Sequence, residues 1–151
     1  RDSLSGMGAI SAFEKIEHQF SPAAYVYDVG KALADGGLFF FTTRIISGFD
    51  LQILWGRTPY IFVPEHLNLL SVEGIGMLVE RSGFELIELS TPGQLDLELV
   101  RHAARNDPSI KLPPFIAYLL EKRDQEAHWD LQEYLQKHRL SSHVRVVIKK
   151  I

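Results

Sequence analysis

Glu14, Glu17 and His18 lie within the run Phe13-Glu14-Lys15-Ile16-Glu17-His18. In a helical turn these three stand at i, i+3 and i+4, so their side chains would converge on one patch. Two carboxylates beside an imidazole are components of proton-transfer chemistry, because a histidine titrates near neutrality and a neighbouring carboxylate fixes its ring. The predicted catalytic pair is His18, as general base toward a substrate hydroxyl, with Glu17; Glu14 is a substrate-binding candidate. The alternative for this patch is plain capping and packing. His66, in Pro64-Glu65-His66-Leu67-Asn68, follows a proline turn and either faces the substrate or hydrogen-bonds its loop. Trp55, Tyr60 and Phe62 either line an apolar substrate pocket or pack against the core; Trp55 and Tyr60 are the substrate-binding candidates among them. His102, His128, His138 and His143 fall on predicted helices or a strand edge without convergent partners, and no function is assigned to them.

The elements that must position these groups alternate between strand and helix. Gly8 to Phe13 is a short apolar run, read as a buried strand. Ser21-Pro22 opens a helix, with serine as cap and proline at the first position, and Tyr25, Val26, Val29 and Leu33 fall on one face. Asp35-Gly36-Gly37 is expected to end it. Leu38 to Thr43 has no polar alternation and reads as a parallel strand covered on both faces. A short helix is expected over Asp50 to Trp55. Ser71 caps a helix that Gly83 terminates, and Phe84 to Leu89 alternates apolar with acidic residues, as a strand near the sheet edge does. Three helices are expected over Leu95 to Ala104, from Pro113-Pro114, and over Glu126 to His138. The β-branched run Val144, Val146, Val147, Ile148 closes the chain as a strand.

At 151 residues the chain is expected to form one domain, with residues 1–8 an uncertain start. A formal charge of -3 provides no basic field for nucleic acid. The absence of cysteine excludes disulfides and thiolate metal sites, and a cytoplasmic location is expected. Apolar runs fall far short of the ~18 residues a membrane span requires. A chain opening on Arg1 is expected to be a processed or truncated product.

The run Phe13 to His18, the glycine turn and strand Gly36 to Thr43, Pro64-Glu65-His66-Leu67-Asn68, Ser71-Val72-Glu73-Gly74 and Gly83-Phe84-Glu85 occur in that order. From about Ala9 to Ile151 the chain thereby resembles the C-terminal half of class I S-adenosylmethionine-dependent methyltransferases, in the bacterial group with an F-E-x-I-E-H motif. It departs from that group at Met7-Gly8, where an aromatic-Asp pair is usual, and at Ala34-Asp35, where Lys-Pro is common. The resemblance implies an α/β fold: a partial Rossmann-like sheet of about four strands, the family's fourth to seventh, with the last antiparallel and helices flanking it. The glycine-rich cofactor loop and the ribose-binding acid would belong to the absent first half, and Gly6-Met7-Gly8 is no substitute.

The implied function is the substrate side of an S-adenosylmethionine-dependent methyltransferase acting on a small molecule, incomplete for catalysis alone. The alternative is a non-catalytic remnant or interaction module. Relatives with an E-x-x-E-H cluster use it to bind metal, which would here enlist Glu14, Glu17, His18 and His66; since the motif also occurs without a metal requirement, none is expected. An unpaired first strand would favour a homodimer, or pairing with the missing half.

Overall fold

The computed structural model describes residues 5–151. Its elements run β1 (Met7–Phe13), α1 (Pro22–Ala32), β2 (Leu33–Arg44), α2 (Phe49–Leu54), α3 (Val72–Arg81), β3 (Phe84–Ser90), α4 (Asp96–Asn106), α5 (Pro114–Lys122), α6 (Gln125–Lys137) and β4 (His143–Lys150). The four strands form one mixed sheet in the order β1-β2-β4-β3. β1 and β2 are parallel, and β4 runs antiparallel to both β2 and β3. This is the expected α/β architecture, a four-stranded sheet with flanking helices and an antiparallel last strand.

Local sequence explains the helix starts. Ser21 and Ser71 accept hydrogen bonds from the amides of Ala24 and Gly74, each satisfying a donor that the first helical turn leaves unpaired. Along β4, Val144, Val146 and Ile148 are buried at the two-residue spacing of one sheet face. Their register partners on β2 include Phe39 and Phe41, also fully buried, and α1 (Val26, Val29) and α3 (Ile75, Val79) close the core over this face.

Three expectations change. β2 begins at Leu33, so Asp35-Gly36-Gly37 lies inside the strand as an irregularity. Gly36 has a φ of 74°, and a Cβ on Gly37 would crowd the carbonyls of Ala34 and Met7. The strand start at Met7 also places part of the uncertain 1–8 segment in regular structure; residues 1–4 lie outside the described residues. Finally, β2 is not covered on both faces: Leu38 is 40% exposed and Phe40 half-buried. A right-handed crossover from β1 to β2 and a second from β2 to β3 put α1 and α3 on the same face.

The remaining helices build a second apolar cluster, in which Leu54 of α2 packs with Val100 and Ala103 of α4 and Ile116 of α5. Because β4 is antiparallel, its first residue lies where β2 ends, and Arg44 pairs in register with His143. That end of the sheet collects the groups of chemical interest. No helix among the described residues is long and apolar enough to cross a membrane.

Candidate functional site

The predicted turn that would bring Glu14, Glu17 and His18 together does not form as expected. Glu14 has a φ of 50°, which swings the backbone out of β1, and only Ile16–His18 makes a 3-10 turn. The helical i, i+3, i+4 geometry is therefore absent, but Glu17 still lies beside both Glu14 and His18, and each of the three side chains also takes a partner outside the run.

Glu14 turns toward the sheet. Its Oε1 accepts from the Thr42 hydroxyl at 2.8 Å and from His143 Nε2 at 2.8 Å. Burial alone would raise the Glu14 carboxyl, but the hydrogen bonds from His143 and Thr42 and the charge of His143 outweigh it and bring the pKa down to about 2. The same hydrogen bond raises His143, against a smaller opposing effect of burial. His143 thus has the convergent partner that sequence alone did not supply.

Glu17 is 1% exposed and accepts from the Thr43 hydroxyl at 2.7 Å. Burial raises its pKa, the Thr43 and backbone hydrogen bonds oppose this, and the neighbouring Glu14 charge adds to the rise. Two adjacent carboxyls are therefore pushed apart in acidity, Glu14 remaining ionised while Glu17 holds a proton more readily.

His18 joins the opposite loop. Its Nδ1 donates to the Glu65 carbonyl at 2.7 Å, so the proton sits on that nitrogen and Nε2 keeps a free lone pair. The ring lies 4.8 Å, centroid to centroid, from that of His66, whose Nδ1 accepts from the Phe62 amide at 3.1 Å. The amides of Leu67 and Asn68 both donate to the Glu17 carbonyl, and the Asn68 side chain to that of Gln19, tying this loop to the 3-10 turn.

Glu17, His18 and His66 offer ligand atoms all within 4.8 Å of one another. This donor set suits Zn²⁺ or Mn²⁺; ligand atoms on a tetrahedral ion with bonds of about 2.1 Å lie roughly 3.4 Å apart, so the cluster would have to contract by up to about 1.4 Å to hold one. Glu14, engaged with His143 and Thr42, is outside that cluster.

The aromatic candidates separate. Trp55 lines a cavity of about 230 Å³ with Ile46, Leu51, Ile61, Val63 and Leu69. Tyr60 instead donates or accepts at His102 Nδ1, 3.1 Å away, and its ring lies 5.8 Å from the Arg44 guanidinium, which pairs with the buried Asp50. Phe62 is largely exposed. His102 and His128 also gain partners, Tyr60 for the first and Arg101 and the Leu119 carbonyl for the second, while His138 stacks on Tyr134. These contacts hold helices in place.

Beneath the first turn of α4 lies a cavity of about 340 Å³ lined by Arg44, Gly93, Gln94, Leu95, Asp96, Leu99 and Ser141 to His143. Asp96, fully buried, accepts from the Gln132 amide, the Ser141 hydroxyl and the Ser142 backbone, and so fixes the loop that presents His143. Sequence reasoning missed His143, Thr42 and Thr43. The available signal was topological, since an antiparallel last strand must begin where the parallel strands end.

Several solved structures share this architecture. An S-adenosylmethionine-dependent methyltransferase from Thermotoga maritima aligns with a TM-score of 0.56 at 12% identity, over 100% of this chain and 60% of that one. One from Mesorhizobium loti gives 0.53 at 12%, over 97% and 63%. A mycolic acid cyclopropane synthase complexed with S-adenosylhomocysteine gives 0.54 at 14%, over 97% and 56%. The chain thus spans about three-fifths of the length of these structures. No curated protein sequence matches it. The sequence profile described as a methyltransferase domain matches residues 6–89, more than half of the chain, from the residue before β1 to the penultimate residue of β3, and the protein belongs to the methyltransferase domain family.

Proposed function

We propose that this chain forms the methyl-acceptor side of an S-adenosylmethionine-dependent methyltransferase acting on a small molecule in the cytoplasm, the C-terminal half of a class I enzyme of the F-E-x-I-E-H group. The observation that carries this reading is the gathering of Glu14, Glu17, His18 and His143 where β1 and β2 end, the edge at which open α/β sheets bind ligands. Family membership and the cofactor product bound to one structural neighbour support the choice of methyl donor.

In this reading His18 presents its free Nε2 to the acceptor, held in place by the Glu65 carbonyl, and Glu17 fixes the turn through Thr43. Trp55 and its apolar cavity contribute acceptor contacts, with His66 beside His18. Tyr60, packed between Arg44 and His102, shapes this wall indirectly. With a divalent ion on Glu17, His18 and His66, His18 Nε2 would ligate the ion instead of facing the acceptor, and the ion would supply a Lewis acid that orients the acceptor.

The test is methyl transfer from labelled S-adenosylmethionine by the natural protein to a panel of small nucleophiles, with and without chelator. His18→Ala and Glu17→Gln should each lower kcat/KM by about 10-fold to 100-fold. Loss of activity on chelation, restored by Mn²⁺ or Zn²⁺, would establish the metal. No transfer to any acceptor, or unaltered variants, would sink the reading.

A further inference from the structure

His143 sits at a junction that the F-E-x-I-E-H motif does not predict. Its Nε2 faces Glu14 Oε1 at 2.8 Å, and a carboxylate can only accept, so Nε2 carries the proton in the neutral ring. Nδ1 is then the basic nitrogen, and it has no hydrogen-bond partner among the described residues. His143 is also one of the residues lining the 340 Å³ cavity under α4. Glu14 is itself steadied by the Thr42 hydroxyl, giving a chain from threonine to carboxylate to imidazole that ends at the cavity wall.

We propose that His143 is a catalytic base that takes the proton from a hydroxyl-bearing methyl acceptor, a one-ring phenol or compact alcohol, held in this cavity, with Glu14 and Thr42 as positioning residues. This rests on the methyltransferase reading, places the acceptor in the cavity under α4 instead of the separate one beside Trp55, and assigns the acceptor class and the base. The cavity is of a size for one small ring. Leu95 and Leu99 offer the apolar contact, while Arg44 and Gln94 can hydrogen-bond polar substituents. In the step, the acceptor O–H proton moves to Nδ1 and the oxygen lone pair bonds to the sulfonium methyl carbon. The carbon–sulfur bond breaks with its electron pair staying on sulfur, leaving a neutral thioether. The imidazolium later releases its proton to water.

Charged and titratable neighbours come from each element around the ring: Glu14 after β1, Glu17 in the 3-10 turn, Arg44 on β2 with its partner Asp50 on α2, and Asp96 on α4. Glu14 favours the imidazolium, and Arg44 opposes it. The active, neutral form of His143 therefore appears on the alkaline side of an ordinary histidine.

The experiment measures kcat/KM against pH for the natural protein with S-adenosylmethionine and a panel of one-ring phenols, alcohols, amines and thiols. The expected result is transfer to a hydroxyl acceptor, an acidic limb above pH 6.5, loss of about 100-fold or more in His143→Gln with the limb abolished, and a limb moved to lower pH in Glu14→Gln. His18→Ala should lower the rate and keep the limb. Circular dichroism checks that His143→Gln folds; should it not, the shifted limb of Glu14→Gln decides. Methylation restricted to amines or thiols, or a hydroxyl-methylating enzyme whose rate and limb survive both substitutions, overturns the assignment while leaving the family reading intact. No transfer to any acceptor overturns both.

Discussion

At the scale of the residue, three neighbours in sequence have three different environments. Glu14 meets His143 from the other end of the chain, Glu17 is buried against Thr43, and His18 bonds the loop carrying His66. Their chemical types were legible in the sequence, but their partners were not, because a positive φ at one residue redirects everything after it. The Glu14–His143 pair predicts a specific pH dependence of stability. Glu14 has a lowered pKa, so its contribution is complete above its ordinary value of 4.5 and is lost as pH falls toward about 2. His143 has a raised pKa, so its contribution is complete below its ordinary 6.5 and is lost as pH rises through the elevated value. Both are present between pH 4.5 and 6.5. Since each side chain is 41% exposed, solvent screening limits the pair to about 1 kcal/mol. Urea unfolding of Glu14→Gln should show its largest deficit near pH 5.5 and a smaller one at pH 8.5; a deficit independent of pH would contradict the pairing.

At the scale of the element, the helices and strands were largely legible because their signals are local. Ser21-Pro22 and Ser71 mark helix starts by side-chain capping, and the β-branched run from Val144 marks a strand by residue preference. The failures were at positions where a second element decides. By its local sequence Gly37 is a helix terminator, whereas the approach of Met7 and Ala34 makes it part of β2. Gly48, between β2 and α2, shows the same dependence: a Cβ there would overlap the backbone and side chain of Ser142, just before β4. Gly48→Ala should therefore cost about 1–3 kcal/mol, since neighbouring backbone cannot yield as a flexible side chain can. Thermal unfolding would check this, with Gly56→Ala as the control, because a Cβ at Gly56 meets nothing within 4 Å. Equal effects would show that backbone freedom matters more than the Ser142 contact.

At the scale of the whole molecule, one sheet face is covered by α1 and α3 and the other leaves Leu38 and Phe40 partly exposed. β1 is an edge strand with Gly8, Ala9, Ser11 and Phe13 exposed, and an unpaired edge is a template for another strand. Sedimentation of the isolated chain should show self-association into a dimer that Ser11→Pro weakens by removing an edge donor. A monomer at high concentration would refute this. The sequence alone determined the α/β class, the element order and the residue types able to do chemistry, since periodicity, caps and strand preference act within a few residues. Only the tertiary structure decided that Glu14 pairs with His143. That choice depends on an antiparallel β4 beginning where β2 ends, across a sequence separation of 129 residues, and chain geometry at such range is set by packing.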